Sequence, residues 1–92
     1  MFLISSGSFD FDDYTRENDY RAFIGKNAYA NAQGTRPINN DEEYGIFYNI
    51  HVPSSSNYTV QLFLRLRSDL GIYIRKYNSG WTQWEKITKG LP

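Results

Sequence analysis

The sequence predicts a small all-β domain, and three observations carry that prediction. Residues 44–77 alternate apolar and polar side chains with period two. The alternating runs are separated by short clusters of Pro, Ser, Asn, Asp and Gly. Aromatic residues make up 17% of the 92-residue chain, with eight Tyr, six Phe and two Trp, and rings fit a pleated surface. At this length the chain reads as one domain over 1–92, with a thin core in which large rings supply much of the buried area.

Taken in order, Phe2-Leu3-Ile4 is expected as an edge strand and Tyr20 to Ile24 as a short strand carrying Tyr20, Ala22 and Ile24. Asn27 to Ala32 is either one helical turn or a loop, because its alanines favour helix and its asparagines oppose it. Residues 33–43 read as a long exposed loop. From Tyr44 to Val52 the side chains of Tyr44, Ile46, Tyr48, Ile50 and Val52 point one way, and those of Phe47, Asn49 and His51 the other. Pro53 and residues 54–57 break that strand. Tyr58 to Arg67 alternates again, with Tyr58, Val60, Leu62, Leu64 and Leu66 on one face and Thr59, Gln61, Phe63, Arg65 and Arg67 on the other.

Residues 68–71 form a turn into a strand from Gly71 to Tyr77, with Ile72 and Ile74 inward. Asn78-Ser79-Gly80 is a tight hairpin loop in which Gly80 is placed for positive φ. Trp81 to Ile87 is the last strand, and residues 89–92 are a tail. The last four strands make an antiparallel meander. The expected core is Val60, Leu62, Leu64, Leu66, Ile46, Tyr48, Ile50, Ile72, Ile74 and one Trp, with the N-terminal half supplying its cover.

Composition narrows the function. With no Cys, a disulfide scaffold, a thiolate zinc site and a thiol nucleophile are excluded, and a reducing compartment suits the chain. No run of about 18 apolar residues is present, so no membrane insertion is expected, and Met1-Phe2-Leu3-Ile4 lacks the length and basic leader of a signal peptide. Ten basic and ten acidic residues cancel, which removes a general attraction to nucleic acid.

The charge is unevenly spread. Residues 1–45 hold eight acids and four bases, and residues 46–92 six bases and two acids. Either the halves neutralise each other within one chain, or the acidic half of one copy meets the basic half of the next in a ring.

Chemistry-bearing constellations are sparse. His51 is the single histidine, so no nucleophilic triad assembles. Asp41-Glu42-Glu43 reads as a solvated cluster, because adjacent carboxylates do not give the separation that glycoside cleavage needs. Asp10, Asp12 and Asp13 lack the Gly and terminal Glu of a calcium loop, so Asp12 and Asp13 read as turn formers or caps. No enzyme activity, metal or cofactor is expected.

Trp81 and Trp84, three apart, point to opposite faces of a regular strand, one into the core and one outward. An outward ring offers a flat, weakly hydrated surface for a sugar. Tyr73, Tyr77 and Trp84 cluster with Arg75 between the tyrosines. Arg65, Arg67 and Arg75 share the face opposite the aliphatic stripe, there either to bind phosphate or carboxylate or to pair with acids of the first half. Gln61 and Phe63 add polar and stacking groups on that face. The candidate ligand residues are therefore Gln61, Arg65, Tyr73, Arg75, Tyr77 and Trp84.

The last hairpin reads Ile72-Tyr73-Ile74-Arg75, then Asn78-Ser79-Gly80-Trp81, then Gln83-Trp84-Glu85-Lys86-Ile87. Near the start stands Phe11-Asp12-Asp13-Tyr14-Thr15, with Tyr20 a few residues on, and Gln61 sits in the strand before the hairpin. Together these resemble the pyocin-knob type of domain found in bacteriophage tail fibres and related phage-tail-like bacteriocins. The likeness runs from Phe9 to Ile87, with Asp12, Asp13, Tyr14, Gly80 and Trp81 as its structural motif. It departs at Asp19, where the family usually has Gly, and is loose over residues 31–57.

The resemblance implies a non-enzymatic tail-fibre or baseplate module, assembled in the host cytoplasm and carried in the virion as a homotrimer beside other tail or baseplate proteins. It implies contact with a bacterial surface polysaccharide or teichoic acid. The alternatives are a structural trimerisation or docking module with no ligand of its own, and an accessory binding domain of a cell-wall hydrolase.

Overall fold

The structure, a computed structural model, describes residues 1–5, 9–13, 19–53, 58–67 and 69–87. It is the all-β domain that the sequence predicts. Six strands form one mixed sheet in sequential order: β1 (Phe2–Ile4), β2 (Tyr20–Ile24), β3 (Gly45–Val52), β4 (Tyr58–Arg65), β5 (Gly71–Tyr77) and β6 (Glu85–Ile87), with one short helix, α1 (Lys26–Ala30), between β2 and β3. β1 pairs parallel to β2, and every other pairing is antiparallel. The helical alternative for residues 27–32 is realised as far as Ala30, directly after Gly25, whose N–H donates to the Ile4 carbonyl.

Three local expectations need correction. β4 stops at Arg65, two residues short of Arg67. In the loop after β5 it is Ser79, at φ 68°, that takes the left-handed conformation, not Gly80. β6 begins only at Glu85. Trp81 makes an isolated bridge to Tyr77, the Thr82 N–H still donates to the Lys76 carbonyl, and residues 82–84 belong to no strand.

The larger correction concerns which face of the sheet is buried. Every expected aliphatic core residue of β3, β4 and β5 lies on the opposite face from the core. Phe47, Phe63, Ala22 and Ile24 are buried, and they pack with Phe9, Phe11, Ala28 and Tyr29. Phe11 is the hub of the ring packing, edge-on to Phe9 at 4.9 Å, to Phe47 at 5.5 Å and to Phe63 at 6.2 Å, the T-shaped geometry that ring quadrupoles favour. Ile50, Val52 and Ile72 are 36%, 37% and 40% exposed, and the remaining expected aliphatic core residues are half-buried.

The choice of face follows from what the N-terminal half brings. The segment at 9–11 and helix α1 offer rings, which interdigitate with the rings and small residues of the Phe47/Phe63 face. Polar side chains on that face are buried without penalty because they are hydrogen-bonded: Asn49, Thr59, Gln61 and Arg75 are all buried and partnered.

The 33–43 segment is also more than an exposed loop. The Tyr29 hydroxyl donates to the Ile38 carbonyl at 2.7 Å and accepts from the Ile38 N–H at 2.9 Å. Arg36 binds Asp41 at 2.7 Å and Asn39 at 3.0 Å. Asp41 and Glu42 stay exposed, whereas Glu43 is fully buried.

Candidate functional site

The register places Gln61 opposite both Asn49 on β3 and Arg75 on β5. All three point to the covered face. The Arg75 Nε donates to the Gln61 Oε1 at 2.8 Å. The Gln61 Nε2 donates to the Asn49 Oδ1 at 3.0 Å and to the Phe11 carbonyl at 2.9 Å. One Arg75 terminal nitrogen donates to the Phe11 carbonyl at 2.7 Å and to the Asp12 carboxylate at 2.8 Å. This network ties three strands to the N-terminal segment through charge-assisted bonds.

Two indoles close over it. The Arg75 guanidinium carbon is 3.9 Å from the Trp81 ring centroid and 4.6 Å from that of Trp84. The Trp84 N–H donates to the Thr35 carbonyl at 2.8 Å and that of Trp81 to the Asp12 carbonyl at 3.4 Å. Asp12 also accepts from the Thr35 N–H at 3.1 Å. The expected split of the two tryptophans between opposite faces is corrected. Because residues 82–84 belong to no strand, both rings meet the same guanidinium, on the covered face. Burial pushes the Arg75 guanidinium below its ordinary pKa, and the Asp12 carboxylate partly restores it.

Arg65 is the second anchor. Its Nε and a terminal nitrogen bind the two Glu43 carboxylate oxygens at 2.8 and 2.9 Å, a bidentate fork that holds its pKa above the ordinary value. Arg67 lies 3.8 Å from the same carboxylate, and Asn40 donates to it at 3.2 Å. The arginines of the C-terminal half are therefore neutralised within the chain by Glu43 and Asp12 of the N-terminal half.

The candidate ligand residues thus fall into two groups. Gln61, Arg65 and Arg75 are hydrogen-bonded to the chain itself. Tyr73, Tyr77, Trp81 and Trp84 are half-buried. Tyr77 and Trp81 stand edge-on at 5.1 Å, while Tyr73 has the Lys86 ammonium 5.9 Å from its ring. Asp12 is partly exposed beside the indoles and Asp13 exposed next to it. Gly80 is exposed at the loop tip. Tyr14 lies outside the described residues.

Sequence reasoning missed Glu43, Thr35 and the Phe11 carbonyl. Glu43 was accessible in principle: it shares the alternation of Gly45, Phe47 and Asn49, and the pairing of Gly45 with Arg65 brings it to the guanidinium. Thr35 and Phe11 act through backbone atoms in irregular segments, which carry no side-chain signal.

A scan against protein-family models and searches of the curated proteins and of the solved structures find no match to the chain.

Proposed function

We propose that the chain is a non-enzymatic attachment module of a bacteriophage tail fibre or baseplate, and that the surface at Tyr77, Trp81 and Trp84 contacts a glycan of the bacterial envelope. The observation that carries this reading is the rigid mounting of half-exposed rings. Arg75 lies against both indoles, and both indole N–H groups are bonded to backbone carbonyls. Rings held in this way offer a flat apolar surface with little side-chain entropy left to lose on binding. Asp12 and Asp13 alongside supply acceptors for sugar hydroxyls.

A neutral polysaccharide suits the site better than a teichoic acid. The guanidinium groups that would bind phosphate are paired with Glu43 and Asp12, and the carboxylates beside the rings disfavour an anion. In this reading the module is virion-borne, with further copies of itself and other tail or baseplate proteins as neighbours.

The test is titration of the purified chain with envelope polysaccharide fractions, followed by tryptophan fluorescence. Binding by the parent chain and at least about tenfold weaker binding by Tyr77→Ala, with thermal stability retained, is the expected result. No binding to any envelope fraction overturns it. That outcome would favour the second reading, a structural module, which has its own support in the nearly complete burial of Arg75, at 3% exposure. There the tryptophans serve only to pin the N-terminal segment.

A further inference from the structure

The uncovered face of the sheet carries its side chains in ordered rows. Following the register from β1 to β6, the first row is Leu3, Phe23, Ile46, Leu64, Ile72 and Ile87, apolar across all six strands. The second is Arg21, Tyr48, Leu62, Ile74 and Glu85, apolar in the middle with a cation at the β2 end and an anion at the β6 end. The third is Ile50, Val60 and Lys76. Asp19 extends it beyond Ile50, since its carboxylate accepts from the neighbouring His51 N–H at 2.9 Å. The third row is therefore charged in the opposite sense to the second.

None of these row residues belongs to the buried core, and Leu3, Ile50 and Ile72 are 68%, 36% and 40% exposed. Asp19 and Arg21 flank a cleft with Tyr48 and Ile50 at one side of the face. Lys76 and Glu85 flank another with Val60 and Ile74 at the other side.

We propose that this face is an interface between copies of this chain, related by rotation about an axis parallel to the strands and passing over β3 and β4. Such a rotation keeps every residue at its own level along the strands. It carries the β5–β6 side of one copy to the β1–β2 side of the next. Glu85 then meets Arg21 of the neighbouring copy, and Lys76 meets its Asp19, so both charged rows become complementary at once.

The fully apolar first row stacks on itself in the same arrangement. A rotation about an axis across the strands would also pair the charges, but it would set that six-residue row against Val52 and Tyr58 alone and leave its ends wet. With strands about 4.8 Å apart and residues about 3.3 Å apart, the face measures on the order of 600 Å² per copy. A partner in a standard interface contributes about 800 Å², so the patch is of the right size.

The inference uses none of the residues proposed to contact glycan, and loss of envelope binding leaves it intact. The experiment is multi-angle light scattering of the full chain over a concentration series, with two or three copies expected for the parent chain. Arg21→Glu alone and Glu85→Arg alone are each expected to weaken self-association at least about tenfold. The double variant Arg21→Glu/Glu85→Arg is expected to restore it. Both positions are exposed, so folding, checked by circular dichroism, is retained. Leu62→Asp at the centre of the face is expected to give a folded monomer. A parent chain that stays monomeric throughout, or a double reversal that fails to recover association, overturns the proposal.

Discussion

The guanidinium of Arg75 rests 3.9 Å from the centre of the Trp81 ring, inside the fold and not on its surface. That contact makes the C-terminal hairpin a clamp on the N-terminal segment, because the same guanidinium holds the Phe11 carbonyl and the Asp12 carboxylate. Its energetic weight lies in what its removal would take away: the donor to the buried Gln61 Oε1, one of two donors to the Phe11 carbonyl and the counter-charge of Asp12.

Replacement of Arg75 by Leu is therefore expected to destabilise the domain by about 1–3 kcal/mol, the range for leaving a buried acceptor without its donor. Urea denaturation followed by tryptophan fluorescence measures it. A loss below about 1 kcal/mol would show that Arg75 does not hold the N-terminal segment.

Adjacent residues on β4 distinguish the two faces. Phe63→Ala removes a buried ring and is expected to cost about 3–5 kcal/mol. Leu64→Ala, on the uncovered face, is expected to cost about 1 kcal/mol at concentrations where the chain is monomeric. Thermal scans of the two variants check the order, and equal losses would contradict the face assignment.

Gly45 admits no side chain. A Cβ there would run into the Leu64 carbonyl and stand 2.7 Å from the Phe63 ring. Gly45→Ala is expected to lower stability by about 1–3 kcal/mol, as overpacking does. A melting temperature equal to that of the parent would refute it.

Ser79 holds φ at 68° without the freedom of glycine. Ser79→Gly is expected to raise stability by about 0.5–1 kcal/mol, since relief of the left-handed strain outweighs the added freedom of the unfolded chain. Chemical denaturation of the two proteins decides the sign.

Alkaline pH is expected to destabilise the domain through Tyr29. Burial pushes its hydroxyl well above the ordinary value of 10, so the folded state holds a proton that the unfolded state releases. The corresponding stability is fully present below about pH 10 and is lost as pH rises above it. Denaturation midpoints measured from pH 8 to 11 are expected to fall at the upper end. Tyr29→Phe is expected to be less stable at neutral pH, through loss of both Ile38 bonds, and to fall less steeply. An unchanged slope would exclude Tyr29 as the source.

What the sequence determined by itself was where the strands lie and the order of the last four. Period-two alternation and turn-forming clusters are local properties, and they placed the residue ranges of β1, β2 and β5 and the antiparallel meander. They also divided the side chains of β3, β4 and β5 correctly into two sets. Which set was buried could not be read locally, because both sets carry apolar bulk. Leu62 and Leu64 looked inward by hydropathy, while Gln61 and Arg75 looked outward by polarity.

The tertiary structure reversed that order. Segments far away in the chain brought Phe9, Phe11 and Tyr29 to one face only. The same approach supplied the Phe11 carbonyl and the Asp12 carboxylate that make burial of Gln61 and Arg75 tolerable. A polar side chain is buried where its partners are, and those partners lie up to 64 residues apart in the sequence.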